Sequence, residues 1–391
     1  MKRERLHHLD GLRALTMLLI LPAHALAVTG LKQGWNDVEA TLFWLIHVFR
    51  LPLFFLVAGF FAAHLLAGRG TAELLRNRAV RIGVPLVVCV LVVAPVLTLL
   101  LRSIAVVEYR PGAQGIAAFA HLHPSFVWFL WYLALLYPAA LLARRLLLAL
   151  PRARALLAGA GARLLPHPIA PLALAIPCAV LLYRQPTWTA GTPSESFLPQ
   201  LDLLAYYAVF FACGWGLCSI GGLREKIEAA PGRYAALAGL ALPPALALYL
   251  TQSEAAIGTS RWFHLLALLL LSVTTWSLAF GLLGLSRRFL RSPSPRLRYW
   301  ADASYWIYLS HFPLMAAIAI GLFELAMPSS LRLAILVAAT LALVFPAYGA
   351  FVRHGPVGRV LHGRRAPRAR PEPRHGGTRL TRPRAATGRR A

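Results

Sequence analysis

Acidic side chains are scarce in this chain: 14 Asp and Glu stand against 40 Lys and Arg, and charged residues of either sign make up only 14% of its 391 positions. That is too little charge to keep a water-soluble domain in solution beside 58% apolar side chains, so a soluble globular protein is excluded. Cysteine is scarce too. Cys89, Cys178, Cys213 and Cys218 all fall inside apolar runs, where a thiol behaves as a small hydrophobe, and neither a disulfide framework nor a zinc site is expected. No helical segment carries His or Cys at metal-ligand spacing, so no metal is expected. There is also no internal repeat and no polar stretch long enough to fold as a separate soluble domain.

What is present is a series of apolar runs. A spanning helix needs about 20 mostly apolar residues at about 1.5 Å rise each. About ten segments qualify, near 12–30, 40–66, 82–101, 123–143, 168–183, 200–220, 234–251, 261–285, 300–325 and 331–352, which predicts an all-α polytopic bundle. The fifth is weakest, interrupted by Pro171 and Pro177. The first resembles a signal peptide in its basic start, but Asp10, Arg13 and His24 break that pattern and predict a retained helix.

A formal charge of +26 would suggest a nucleic-acid partner in a soluble protein. Here the basic residues cluster between apolar runs, around Arg69–Arg81, Arg144–Arg163, Arg224–Arg233 and Arg287–Arg298, as loops facing an anionic cytoplasmic leaflet do, so membrane lipids rather than nucleic acid are the expected partner. With those loops inside, roughly five of every six basic residues lie on one side, and both termini are expected in the cytoplasm. The expected domains are a transmembrane unit over 1–352 and a disordered basic tail over 353–391, whose Arg, Pro and Gly cannot bury a core.

Ionisable residues within the apolar runs point to function, because a charge at mid-bilayer costs about 2.5–3.5 kcal/mol or more. Asp10 and Arg13 lie three apart at the inner end of the first segment, and His24 follows eleven residues on, about 16 Å further out, in the proline-containing turn LPAH. The second segment returns inwards with His47 about 10 Å below the outer surface and Arg50 one turn beyond, so that His24 and His47 can share a depth. In the ninth, Ser304, Tyr308 and His311 at i, i+4 and i+7 share one face, with His311 expected near mid-membrane. Three histidines and an arginine converging from three helices are hard to explain as packing, although a single buried His often only bonds a carbonyl. His64, His121, His123 and His264 lie near segment ends and are expected to snorkel. Arg76, Arg78 and Arg81 form a basic inner loop, with Arg78 and Arg81 on one face, suited to gripping phosphate.

In order along the chain, HLDGLRALTMLLILPAHA, HVFRLPLFFLVAGFF, RNRAVRIGVP, VWFLWYLALL and SYWIYLSHFPLM resemble the membrane-bound acyltransferase 3 family, and within it the glucan-biosynthesis type. The likeness runs to about Val352. It implies a ten-helix enzyme of the bacterial cytoplasmic membrane that passes an acyl group, succinyl or acetyl, from cytosolic acyl-CoA to a hydroxyl of an extracytoplasmic glycan. Acyl-CoA is then a donor substrate, and no permanently bound cofactor is expected. Arg13 and His24 match the family's basic-residue and His motif, and Arg78 and Arg81 match its Arg-x-x-Arg motif, expected at the CoA phosphates.

The chemistry agrees with the reading of the residues, since acylating a hydroxyl needs a base poised near neutrality. His24 is the candidate base, with Arg13 and Asp10 in the catalytic set and Arg50 a candidate donor to the oxyanion. A covalent acyl-His intermediate is a second route. His47, Trp128, Tyr308 and His311 complete the substrate-binding set, Tyr308 and His311 being expected along the pantetheine channel. Relatives carry Ser where this chain has Ala58 and His where it has Phe126, which bears on acyl size or acceptor choice. A transporter of a small anion or glycan precursor is the competing class, since midplane histidines also suit relays, but corresponding halves with paired broken helices are not seen.

Overall fold

The computed structural model describes residues 6–104, 125–185, 188–191, 193, 197–252, 260–292 and 294–362. Arg110, His121, His123 and the stretch 363–391 lie outside them. Among the described residues every regular element is a helix.

Helices α1 (His7–Leu18) and α2 (Ile20–Gln33) form one apolar rod with a fault at Leu19. Pro22 has no N–H to give the Leu18 carbonyl four residues back, so the ladder is interrupted there. Helix α3 (Asp37–Arg78) starts from a capping box in which Asn36 Oδ1 accepts from the Glu39 amide and the Glu39 carboxylate accepts from the Asn36 amide. Within α3, Gly70 takes φ +78° and ψ 178°, a conformation open essentially only to glycine, and the rod breaks. The arm beyond it runs through π turns at Ala79–Gly83 and Cys89–Val93, joined by α4 (Val84–Val88), into α5 (Ala94–Ile104).

The remaining elements are α6 (Trp128–Ala149), α7 (Pro151–Leu164), α8 (Ala170–Leu182), α9 (Leu201–Ser219), α10 (Leu223–Glu228), α11 (Pro231–Thr251), α12 (Arg261–Phe289), α13 (Pro295–Phe323), α14 (Ser329–Ala347) and α15 (Pro356–His362). Among the described residues eight helices are long and apolar enough to cross a membrane. The expected ten segments are present, two of them in the run Asp37–Ile104 on either side of the Gly70 break, and α8, with 13 residues, is about 20 Å long and short of a full span. The protein is an all-α polytopic membrane bundle.

Helix α12 is the enclosed centre. Ser272, Thr274, Thr275 and Ser277 are all buried on it, a polar band that packs helices closely where lipid would not accept it. The Thr275 hydroxyl lies 2.8 Å from the Val48 carbonyl of α3, and Trp276 Nε1 donates to Cys178 Sγ of α8 at 3.4 Å. Helices α3 and α9 touch backbone to backbone: a Cβ on Gly59 would strike the Phe211 carbonyl, and one on Gly214 the Leu56 carbonyl. At the arginine-rich end the buried Glu228 of α10 binds His8 of α1 at 3.0 Å and Arg287 of α12 at 3.3 Å, tying three elements together.

The chain does not leave the bundle at residue 352. Helix α15 packs back, burying Leu361, whose carbonyl accepts from Arg81 Nε at 2.8 Å. The described chain beyond residue 352 thus still lies against the bundle. The apolar pair Val360 and Leu361 supplies the face that the Arg-, Pro- and Gly-rich composition of the wider tail conceals.

Candidate active site

His24 sits on α2 just past the Leu19 fault, and His311 lies on α13. Their nearest nitrogens, His24 Nδ1 and His311 Nε2, are 2.8 Å apart. His311 is fully buried and turns its Nδ1 onto its own helix, 2.9 Å from the Ile307 carbonyl and 2.8 Å from the Tyr308 carbonyl. His24 keeps part of its surface open, with the Phe312 ring covering one side at 4.3 Å. His311 thus lies directly beside His24.

From α3, His47 Nδ1 donates to the Phe43 carbonyl at 2.7 Å, and its Nε2 accepts from Arg50 at 3.4 Å. Arg50 is 5% exposed, its Nε has no hydrogen-bond partner, and no carboxylate pairs with it among the described residues. Its charge lies within electrostatic reach of His24, His47 and His311, so the four side chains form one cluster. A buried guanidinium without a counter-ion costs several kcal/mol, which makes it a ready partner for an anion or a developing oxyanion.

The other residues of the expected set are distributed around this cluster. Tyr308 donates to the Phe126 carbonyl at 3.4 Å, and Ser304 donates to the Ala301 carbonyl of its own helix. Both His311 nitrogens are occupied as well, so this face of α13 is bonded within the protein, although the Tyr308 oxygen keeps lone pairs that can still accept. Trp128 is buried edge-on against Tyr132 and near Tyr207, an aromatic wall on the Arg50 side. Phe126 meets His311 edge-on at 6.3 Å.

Arg13 and Asp10 do not join His24. They pair with each other at 3.6 Å, and the Arg13 guanidinium lies over the Phe61 ring. Arg13, Arg78 and Arg81 gather instead around the buried Tyr137, with Arg78 over its ring at 4.8 Å. Arg76 is set apart by its bonds to Glu73 at 2.8 and 3.0 Å. The backbone of this arginine cluster is anchored by Tyr305, which donates to the Arg81 carbonyl at the first π turn.

Sequence reasoning missed Phe312, Tyr137 and the His8–Glu228 clamp. None has a periodicity that marks it, and each acquires its role from a partner far away in the chain. Only the adjacency of Phe312 to His311 was available as a signal.

Residues 6–349 match the family described as acyltransferase domain, nearly the whole described chain. This chain belongs to the acyltransferase 3 family. Among proteins similar to this family member are the glucans biosynthesis protein C of Escherichia coli K12, 25% identical over 334 residues, covering 80% of this chain and 82% of that protein, and that of Escherichia coli O157:H7, also 25% identical, over 336 residues. No solved structure matches. The chain is a multi-pass membrane acyltransferase, which decides between the enzyme and transporter classes.

Proposed function

We propose that this acyltransferase takes an acyl group, succinyl or acetyl, from cytosolic acyl-CoA and gives it to a hydroxyl of an extracytoplasmic glycan, working in the bacterial cytoplasmic membrane with both termini inside. The observation that carries the reading is the separation of two clusters along one broken helix. Arg13, with Arg78 and Arg81 nearby, stands eleven residues from His24, about 16 Å along the axis. An extended pantetheine arm can bridge such a gap, with the CoA phosphates on the arginines and the thioester at the histidines.

In the reaction His24 takes the proton of the acceptor hydroxyl as its oxygen attacks the thioester carbonyl. Arg50 donates to the oxyanion that forms. The carbon–sulfur bond then breaks, and the departing thiolate recovers the proton from His24. The 25% identity to glucan biosynthesis proteins supports a glycan acceptor, and Ala58 and Phe126, where the family resemblance leads one to expect Ser and His, are the positions expected to tune acyl size or acceptor choice.

The test is transfer of radiolabelled acyl groups from acetyl-CoA and succinyl-CoA to a mixed glycan acceptor by purified, reconstituted protein, with His24→Ala alongside. Label on glycan that requires His24 supports the reading and names the donor. Full transfer by a folded His24→Ala protein would overturn the role of His24, and no label from either donor would overturn the acyl-CoA reading.

A further inference from the structure

His311 has two ring nitrogens, and their partners differ in kind. Those at Nδ1 are the carbonyl oxygens of Ile307 and Tyr308, at 2.9 and 2.8 Å. A carbonyl oxygen can only accept, so Nδ1 must carry the hydrogen. A neutral imidazole has one such hydrogen, which leaves His311 Nε2 as a lone pair. That lone pair faces His24 Nδ1 at 2.8 Å, so His24 must hold its own hydrogen on Nδ1. The basic lone pair of His24 is then on Nε2, which has no partner among the described residues, on a ring that keeps part of its surface open.

From this we infer that His311 is the positioning residue of the site: anchored on two carbonyls of its own helix, it fixes His24 in the tautomer that presents Nε2 to the acceptor hydroxyl. The inference rests on the reading of His24 as the base and replaces the expectation that His311 binds the pantetheine arm. It also gives the pair a direction. When His24 takes the acceptor's proton at Nε2, the imidazolium keeps its Nδ1–H on the His311 lone pair, so the charge forms against an acceptor already in place. Phe312 and Phe126, against His24 and His311 at 4.3 and 6.3 Å, supply no competing polar atom, which leaves each ring few other partners. His47 repeats the first half of the device, with Nδ1 on the Phe43 carbonyl, but its Nε2 is turned to Arg50 rather than to another imidazole.

Nitrogen-15 spectra of histidine-labelled protein in lipid test this without any substrate, with signals assigned by comparison with His24→Gln and His311→Gln. The expected result is His24 protonated at Nδ1 and bare at Nε2, and His311 protonated at Nδ1 alone. A proton on His24 Nε2, exchange between the two tautomers, or a doubly protonated His311 would overturn the inference. Kinetics supply a second readout. His311→Leu removes the acceptor and is expected to lower kcat about 100-fold while KM for acyl-CoA stays within about twofold. His311→Gln, whose amide oxygen can reach the Nε2 position, should recover about tenfold of that loss. Equal activities for the Leu and Gln variants would count against positioning. If His24→Ala retains transfer, the base assignment fails; if that variant is dead while wild-type His24 carries its proton on Nε2, only the present inference fails.

Discussion

Arg13 and His24 ride on the same broken rod, yet their neighbourhoods are built on opposite principles. Around the histidines nearly every nitrogen is assigned. His311 and His47 donate to backbone carbonyls, His24 and His311 meet at 2.8 Å, and aromatic rings fill the remaining space. Around Arg13 three guanidiniums crowd one tyrosine, with Asp10 their nearby carboxylate and the Leu361 carbonyl taking one N–H of Arg81. The first arrangement fixes where a proton moves, which demands orientation. The second holds surplus positive charge, which demands only that a polyanion arrive. On the proposed function, catalysis and donor binding are separated along the rod, and removing either should leave the other's signature intact.

The sharpest break in that comparison is His24→Ala, expected to lower kcat about 1,000-fold with little change in KM for acyl-CoA, read in reconstituted vesicles. Next comes Arg50→Met, expected to cost about 100-fold in kcat by removing a donor to the oxyanion. A change confined to KM would move Arg50 from the chemistry to substrate binding. At the other end the split reverses. Arg78→Ala and Arg81→Ala should each raise KM for acyl-CoA about tenfold, in line with loss of a charge-assisted hydrogen bond of about 1.5–3 kcal/mol, and leave kcat within about twofold. Unchanged affinity would remove these arginines from the donor site. The smallest effect is that of salt: going from about 0.05 to 0.5 M should raise KM a few-fold, because the arginine end is partly exposed and screened, and leave kcat at saturating donor unaltered.

Much of the fold was legible because lipid imposes a local rule. Apolar runs of spanning length declare themselves one at a time, and the expected segments are present. What escaped was the connection between them. The chain turns from the second segment into the third at Gly70, whose non-helical φ of +78° breaks the helix, and a single glycine in a basic stretch does not announce that conformation. Helix α15 escaped notice because seven residues of helix are too few to stand out from the composition around them. For the site, helical rise suggested that the intramembrane histidines approach one another, but the direct contact of His24 with His311 was set by how α2 and α13 pack.

The sequence by itself determined that this protein lives in lipid as a helical bundle, which residues within it are ionisable, and which family its motifs resemble. These follow from hydrophobic length, the cost of buried charge and residue order, all properties of segments read singly. Only the tertiary structure decided that Arg13 belongs with Arg78 and Arg81 while His24 belongs with His311, and which nitrogen of His24 is left bare. Those outcomes rest on a contact of 2.8 Å between side chains 287 residues apart and on two carbonyls that can only accept. Hydrogen bonding is decided within tenths of an ångström, far finer than helical periodicity can resolve.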